Sequence, residues 1–460
     1  MLVSIAVENF KSFDKLTEFS MLASKSLRND KEKINKINDV AILKSAVLYG
    51  ANASGKTNLI DAFKFVKQCL SSGKIPLEAK SVFCKNNQEN ENKITTCEIR
   101  MCIAGKFYAY GIDVLLKERS ICGEWILELT SSNTPTMLFQ RDGNNIAFGN
   151  SLKLTDEEDA RIKIYADDFA DNVSTFFLYE MNRNKKIHKD SNFRFFKDIF
   201  EWLARDVKIF YPNDMITGFE YYSEDVPLEL VKKIIKTFDT GITNLELKSL
   251  TNEEFSDLVP SSVFKNVMEK VAEVEKFQEE TDDISKKQRK IEISMRTSKM
   301  FFNIELDPKS EELQITTLSF KHGKSFYDFA FDEESDGTRR IFELLDILLT
   351  TNENSVYIID EMERSLHPAL TKRFIELLNE YHQESNVQLI FSTHESTIMT
   401  QELFRRDQIW FVAKDNTNHS NLYPLDAFKE RYDKKINKAY LEGRYGAIPI
   451  FKEFNLGGLD

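Results

Sequence analysis

Residues 50–57 read GANASGKT and fit the pattern G-x-x-x-x-G-K-[ST] at every fixed position. Glycines in such a loop let backbone N–H groups curve around phosphate oxygens at the start of a helix, where the helix dipole favours negative charge. Lys56 is expected to reach the β- and γ-phosphates of a nucleotide and to act in catalysis, and the Thr57 hydroxyl to ligate magnesium. A chance Gly-rich turn is the alternative. The predicted binding residues are Gly50, Asn52, Ser54, Gly55, Lys56, Thr57 and Asn58.

Two carboxylates, Asp360 and Glu361, follow the apolar run SVYII at residues 355–359. We predict that Asp360 holds the magnesium ion with Thr57, usually through water, and that Glu361 polarises the attacking water as a catalytic residue. The pair suits hydrolysis because one carboxylate neutralises the charge of the metal while the other accepts a proton. A surface acidic pair at a strand end is the alternative.

His394 lies in the segment LIFSTHE, at the end of another apolar run. An amphipathic helix separates this run from the one that ends at Asp360, which is the arrangement of neighbouring strands in a parallel sheet. Because the ends of successive parallel strands meet at one edge, we predict that His394 reaches the γ-phosphate as a third catalytic residue. A structural histidine of the core is the alternative.

Residues 334–340 read ESDGTRR and precede the apolar helical segment IFELLDILL. A serine and a glycine at the start of a helix form a second anion-binding N-terminus, which makes Ser335 and Gly337 candidate nucleotide contacts. The same spacing is also common in a simple helix cap. Its place shortly before the strand of Asp360 favours the binding interpretation.

The elements that position these residues alternate between strands and helices. A strand is predicted at residues 45–49, and a helix over residues 57–70 because apolar side chains recur there at helical spacing. Further along, the predicted elements are a helix at 338–349, a strand at 355–359, a helix at 368–381 and strands at 388–392 and 408–412. Such alternation implies a parallel sheet with helices on its faces.

Two other regions have different patterns. Residues 95–148 alternate between apolar and polar positions and are broken by turn residues, which predicts an antiparallel sheet of successive hairpins. Residues 165–300 are charged and contain few glycines, and a helix is predicted after Pro260. No heptad pattern is sustained there, so we expect a helical insertion and not a long coiled coil.

The composition excludes several classes of protein. The 460 residues include 42% hydrophobic residues and 36 Phe, too apolar for a disordered chain. A formal net charge of -12 argues against general coating of nucleic acid but leaves room for a local basic groove. Because the sequence has no signal peptide and no long apolar run, we expect a cytoplasmic protein that does not bind membranes. The five cysteines lack C-x-x-C spacing, so we expect reduced structural thiols and no zinc site.

Together these segments resemble the ATP-binding-cassette (ABC) class of ATPase heads, which contains SMC, RecF-like and overcoming-lysogenisation-defect proteins. ENFKSF at residues 8–13 resembles the opening of those heads, and residues 440–449 resemble the C-terminal segment of free-standing ATPases in bacterial abortive-infection loci. More narrowly, the chain resembles the ATPase subunit of PARIS-type defence systems.

The resemblance implies an α/β fold, an ABC-ATPase head with a P-loop parallel sheet, an antiparallel β lobe and a helical insertion. The implied domains are an N-terminal half of the head at 1–165, the insertion at 166–310 and a C-terminal half at 311–460. ATP and Mg²⁺ are the implied cofactors, with Lys11 near the nucleotide. Gln140 is a candidate for the glutamine loop of the family, and ESDGTRR departs from the usual Leu-Ser-Gly-Gly-Gln signature.

In this class two heads enclose two nucleotides, and the signature of one subunit contacts the γ-phosphate bound by the other. The resemblance therefore implies that Ser335 and Gly337 act across a subunit boundary in a homo-oligomer, either a dimer of heads or a larger even assembly such as a hexamer.

Four functions are compatible with such a head. A transporter subunit is disfavoured by the large insertion between Lys56 and Asp360, and a nuclease in the same chain by the short segment after His394. A DNA-repair head remains an alternative because the chain has two basic clusters, although a solvated helix face would have the same composition. The clusters are residues 183–186 and the set Lys286, Arg289, Lys290, Arg296 and Lys299. We favour an anti-phage sensor that assembles with ATP, responds to a phage protein and controls a separate effector encoded nearby, such as a toprim nuclease.

Overall fold

The computed structural model describes residues 1–25, 27, 32–130, 135–169, 172–183, 185–214, 228–280, 291–297, 300–307, 312–429 and 435–449. The chain divides into two compact units. The first comprises Met1–Asp214, Asn352–Arg364 and Phe374–Asp460, and the second comprises Met215–Thr351 and Ser365–Arg373.

Strands and helices occur in both units. The strands are β1 (Leu2–Glu8), β2 (Thr17–Ser20), β3 (Ile34–Ile37), β4 (Val40–Leu43), β5 (Ser45–Tyr49), β6 (Thr95–Ile103), β7 (Lys106–Leu115), β8 (Ser120–Leu129), β9 (Pro135–Asp142), β10 (Asn145–Phe148), β11 (Val207–Phe210), β12 (Ile242–Leu250), β13 (Ile291–Arg296), β14 (Phe301–Asp307), β15 (Glu312–His322), β16 (Val356–Ile359), β17 (Gln388–Ser392), β18 (Ile409–Lys414) and β19 (Ser420–Pro424). The α-helices are α1 (Lys56–Ser72), α2 (Asp156–Asp167), α3 (Phe177–Asn182), α4 (Phe195–Glu201), α5 (Leu228–Ile235), α6 (Asn252–Leu258), α7 (Ser261–Glu280), α8 (Asp336–Leu348), α9 (Pro368–Tyr381) and α10 (Ile436–Leu441).

A six-stranded sheet of the first unit carries the motif residues, in the order β11-β16-β17-β5-β18-β19. Its first five strands run parallel, and β19 pairs antiparallel with β18. Every residue of β5, β16 and β17 is buried, as expected for parallel strands covered on both faces. The predicted parallel sheet is confirmed.

A seven-stranded antiparallel sheet of the same unit has the order β10-β9-β8-β7-β6-β1-β2. The strands β6 to β10 pair in sequence, each with the next, which confirms the succession of hairpins predicted over residues 95–148. The opening strand β1 joins this sheet beside β6. The predicted α/β fold class, with a parallel P-loop sheet and an antiparallel sheet, is confirmed.

Helix α1 packs its apolar stripe into the core of the first unit. Leu59, Phe63, Val66 and Leu70 are all buried, as their spacing predicts. Each such side chain stabilises the fold by about 1.5–3 kcal/mol when it is removed from water. The helix ends at Gly73, whose left-handed backbone (φ 73°) closes it. This packing fixes the helix whose first residues form the motif.

The second unit contains a four-stranded antiparallel sheet in the order β12-β15-β14-β13. Phe255, Val259 and Val267 of its helical part pack against Phe302 and Ile304 of the sheet. Helix α7 begins after Pro260, as predicted.

The expectation of a helical insertion at 166–310 is therefore wrong in part, because this region also supplies β11 to the parallel sheet and β12, β13 and β14 to the four-stranded sheet. In β12 (ITNLELKSL) the buried positions are separated by polar and charged ones, so a half-buried strand looked like a charged helix. Lys286, Arg289, Lys290 and Lys299 lie outside the described residues. Among the described helices, none is both long enough and apolar enough to cross a membrane.

Candidate functional site

The loop between β5 and α1 can be built only with glycine at two positions. A Cβ on Gly50 would lie 2.4 Å from the carbonyl oxygen of Val412. Gly55 has φ 117°, and a Cβ there would lie 2.3 Å from Ser420 Oγ. At these two positions the loop backbone therefore lies close to β18 and β19. The N–H groups of the loop lie at the start of α1, where such loops bind phosphate.

Lys56 lies folded against this loop. Its Nζ donates hydrogen bonds to the carbonyl oxygens of Gly50 (2.8 Å) and Ala51 (3.3 Å). Only 6% of the residue is exposed. Burial lowers the pKa of Lys56 to about 8, and the negative charge of Asp360 opposes that shift. At neutral pH the loop thus carries a mostly protonated amine.

Thr57, the second residue of α1, contacts Asp360, which directly follows β16. Thr57 Oγ1 donates to Asp360 Oδ2 at 2.8 Å. On the other side of the carboxylate, the Ser392 hydroxyl donates to Oδ1 and accepts the N–H of Glu361 at 2.8 Å. Ser392 has no place in the sequence motifs, although it is the last residue of the buried parallel strand β17.

Glu361 and His394 flank this centre. Glu361 is half-buried and has a left-handed backbone (φ 48°), an unusual conformation for glutamate. The His394 side chain is exposed, and its backbone N–H donates to Glu363 Oε1 at 2.6 Å. Although the residue is exposed overall, partial loss of hydration of its ring, and then the positive charge of Lys56, lower the pKa of His394. Glu363, which the sequence analysis left without a role, thus holds the loop of His394.

Residues of the glycine-rich loop, together with Asp360, Glu361 and His394, line one open cavity of about 480 Å³, within the range of small-molecule sites. Besides Glu361 and His394 it includes Lys414 at the end of β18, another residue that the sequence analysis did not name. The full lining is Asn52, Ala53, Ser54, Gly55, Lys56, Thr57, Asn58, Asp360, Glu361, His394 and Lys414.

The donor set of the cavity fits a nucleotide with magnesium. A hydroxyl and a carboxylate face each other at Thr57 and Asp360, and such oxygens are the ligands that Mg²⁺ prefers. The amines of Lys56 and Lys414 supply positive charge for phosphate groups.

The segment ENFKSF makes hydrogen bonds to the start of α1 and to β19. Asn58 Nδ2 donates to Ser12 Oγ at 2.7 Å, and the N–H of Ser420 donates to the carbonyl of Ser12 at 2.8 Å. Lys11 instead pairs with Asp61 of α1, which also accepts the Tyr211 hydroxyl. Among the described cavity-lining residues Lys11 does not appear, so a nucleotide contact by its side chain stays a prediction.

Two other predicted elements lie elsewhere in the chain. Gln140 is an exposed residue of β9 in the antiparallel sheet. Ser335 belongs to the second unit and caps α8, where its Oγ accepts the N–H of Thr338 at 3.1 Å. Gly337 follows it, and a Cβ there would lie 2.8 Å from the carbonyl oxygen of Ser365. The cap interpretation of this segment is confirmed, and its binding role stays a prediction.

A glycine-rich loop, an Asp-Glu pair and a histidine at one edge of a parallel sheet define a P-loop nucleotide-binding protein. The chain matches the family described as "AAA domain, putative AbiEii toxin, Type IV TA system" over residues 45–96 and 138–400, more than half of its length. It therefore belongs to this family of AAA-domain proteins. The resemblance to ATPases of abortive-infection systems is confirmed at this level.

Solved structures of SMC heads are similar to the chain at low identity. An Smc head bound to the C-winged helix domain of ScpA is 16% identical, with a TM-score of 0.42 and coverage of 92% of this chain and 97% of that one. The SMC head domain from Thermotoga maritima is 13% identical, with a TM-score of 0.35 and coverage of 92% and 98%. An Smc head with an extended coiled coil, bound to the C-terminal domain of ScpA derived from Pyrococcus furiosus, is 14% identical, with a TM-score of 0.40 and coverage of 96% and 98%. No curated protein matches the chain.

Proposed function

We propose that the chain binds ATP with Mg²⁺ in the 480 Å³ cavity and hydrolyses it. The observation that carries the proposal is the chain of contacts from Thr57 through Asp360 to Ser392 and the N–H of Glu361. These contacts join the hydroxyl of Thr57 and the carboxylate of Asp360, which suit magnesium, to the neighbouring residue Glu361, which carries a second carboxylate.

Each residue has a defined part in this reaction. The loop N–H groups and Lys56 hold the phosphates, and Lys56 exchanges its carbonyl partners for phosphate oxygens. Thr57 and Asp360 hold Mg²⁺, which when bound neutralises charge that develops on the phosphates. Glu361 accepts the proton of the attacking water, and His394 donates a hydrogen bond to the γ-phosphate.

Nucleotide binding tests the cavity directly. Lys56→Ala removes the buried amine and should weaken binding of a fluorescent ATP analogue by about 100-fold or more, as loss of a charged hydrogen-bonding partner costs several kcal/mol. Lys64→Ala is the matched control, because Lys64 on the same helix lies over the ring of Tyr211 and does not line the cavity. Equal affinity of Lys56→Ala and the wild type would contradict the site.

We further propose that two chains complete each other's sites. Ser335 caps α8 and Gly337 lies in its first turn, so the positive end of this helix would face the γ-phosphate held by a second copy. The assembly is then a dimer or a larger even oligomer, such as a hexamer.

Mixing two inactive variants tests this arrangement. In a mixed dimer of Lys56→Ala and Ser335→Arg, one of the two shared sites has an intact P-loop and an intact signature. Combining equal amounts should restore up to about a quarter of wild-type hydrolysis. No activity above that of the separate variants would contradict a shared site.

In the cell we propose a cytoplasmic anti-phage ATPase that senses a phage protein and controls a separate effector, such as a toprim nuclease. The description of its family, which names a putative AbiEii toxin and a type IV toxin–antitoxin system, supports a role in abortive infection. Expression with its neighbouring gene should restrict phage growth, and Lys56→Ala should abolish the protection. Protection that survives this change, or ATP hydrolysis stimulated strongly by DNA alone, would favour another role such as repair.

A further inference from the structure

Three segments of the first unit bring a carboxylate, a thiol and an imidazole together. Asp14 follows the segment ENFKSF, Cys84 lies between α1 and β6, and His419 lies in the turn between β18 and β19. One carboxylate oxygen, the sulfur and one ring nitrogen all lie within 4.8 Å of one another. Cys84 is fully buried, and the other two residues are partly buried.

Hydrogen bonds hold the three segments against each other. The N–H of Cys84 donates to Asn9 Oδ1 at 3.1 Å, and Asn90 Nδ2 donates to Asp14 Oδ1 at 2.6 Å. Asn86 Nδ2 donates to the carbonyl of Asn418, next to His419, at 2.8 Å. These bonds fix the backbone at Cys84 and at the residue before His419, and they hold one carboxylate oxygen of Asp14.

His419 has one ring nitrogen engaged and the other without a partner. Nδ1 lies 2.8 Å from Thr417 Oγ1 and 3.8 Å from the carboxylate of Asp415. Nε2 is buried and has no hydrogen-bond partner within the described part of the chain. A metal-binding histidine uses its two ring nitrogens in this way: one binds the metal and the other is hydrogen-bonded to a polar neighbour.

We propose that Asp14, Cys84 and His419 bind a divalent transition-metal ion, with zinc as the occupant. Thiolate, imidazole and carboxylate are the three protein ligands of zinc, whereas Mg²⁺ takes oxygen ligands. Bonds of about 2.0–2.3 Å place tetrahedral ligand atoms about 3.3–3.8 Å apart, so the side chains need to close by no more than about 1.5 Å. Binding displaces the Cys84 proton to solvent, and a fourth position is left for water.

The ion would fix the support of the P-loop. His419 is followed by Ser420, whose Oγ lies 2.7 Å from Ser12 Oγ and 2.5 Å from the carbonyl oxygen of Ser54. Shared coordination by Cys84 and Asp14 would tie this turn to the segment that includes Ser12. The absence of C-x-x-C spacing, which argued against zinc from the sequence, does not apply to ligands from three distant segments.

Metal content tests the proposal in the full chain. Protein purified without a metal-affinity column and incubated with zinc, then freed of excess, should hold about one zinc ion per chain by elemental analysis. Cys84→Ser and His419→Gln should each lower the content about tenfold or more. Cys122→Ser is the control, because that thiol lies outside the cluster and should leave the content unchanged. Lys56→Ala should also keep the metal, so the result does not depend on the ATPase proposal.

Cobalt provides a readout that does not depend on variants that fold poorly. Wild-type protein loaded with Co²⁺ should show a thiolate-to-cobalt charge-transfer band in the near ultraviolet, and zinc should abolish it. Removal of the metal with a chelator should lower the melting temperature, and zinc should restore it. Wild-type protein with no bound zinc and no such band, or Cys84→Ser with an unchanged band, would overturn the proposal.

Discussion

Ser392 offers a sharp test of how the site is held together. Its hydroxyl donates to Asp360 Oδ1 and accepts the N–H of Glu361 at 2.8 Å. Ser392→Ala removes both contacts without adding volume. The carboxylate that faces Thr57 then loses a donor, and the left-handed backbone at Glu361 (φ 48°) loses the partner of its N–H. We expect the catalytic carboxylate of Glu361 to lose its fixed position.

The magnitude follows from the kind of hydrogen bond that is lost. A hydrogen bond to a charged group contributes about 1.5–3 kcal/mol. If that stabilisation is lost in the transition state, kcat falls by about 10- to 150-fold. ATP affinity should change by less than about threefold, because the P-loop contacts of Lys56 are untouched. Initial rates of phosphate release at saturating ATP and Mg²⁺ measure kcat, and equilibrium titration measures ATP affinity.

Ser355→Ala is the matched control. Ser355 is also fully buried and directly precedes β16, but its Oγ has no hydrogen-bond partner among the described residues. It lies at the opposite end of that strand from Asp360. Its removal should leave kcat within about twofold of the wild type. Wild-type kcat in Ser392→Ala, or the same loss of activity in both alanine variants, would show that the Ser392 hydroxyl does not hold the site.

Three further predictions concern other parts of the molecule. Glu363→Ala should lower kcat about tenfold because the backbone N–H of His394 loses its acceptor, whereas Glu363→Gln should retain activity in the same phosphate-release assay. Gly337→Ala should lower hydrolysis about tenfold or more without changing ATP affinity. The added Cβ would lie 2.8 Å from the Ser365 carbonyl oxygen and would displace the start of α8. An ATP affinity that falls as much as the rate of hydrolysis would contradict this prediction. Partial loss of hydration raises the pKa of Glu158, but hydrogen bonds from Asn192, Ser191 and Thr155 outweigh it and hold the pKa at about 2, below its ordinary 4.5. The stability that Glu158 contributes is thus full above pH 4.5 and is lost as pH falls toward about 2. Because solvent screens this partly exposed carboxylate, Glu158→Ala should lower the free energy of unfolding by only about 1 kcal/mol at neutral pH, and by less at acid pH, in urea titrations.

The sequence predicted the centre of the site because its residues follow fixed physical patterns. Gly50 and Gly55 are required by close backbone approaches, and the buried strands that end at Asp360 and Ser392 had to be parallel because they alternate with helices. Parallel strands place their carboxyl ends together, which is why His394 was expected at the cavity that it lines.

The remaining features depend on long-range pairing that local patterns do not encode. β11 is a four-residue strand, too short for a periodic signal, and it enters the parallel sheet beside β16. β12 interleaves charged and apolar positions and was mistaken for helix. The pairing of Lys11 with Asp61 and the cluster of Asp14, Cys84 and His419 arise only when distant segments pack.

Magnesium-dependent hydrolysis, measured for the wild type and for Glu361→Gln in preparations that bind ATP, decides whether the chain is such an ATPase. The wild type should release phosphate, and the release should stop when Mg²⁺ is chelated. Glu361→Gln should bind ATP, with kcat reduced by about 100-fold or more. Hydrolysis that persists without Mg²⁺, or wild-type turnover by Glu361→Gln, would contradict this assignment.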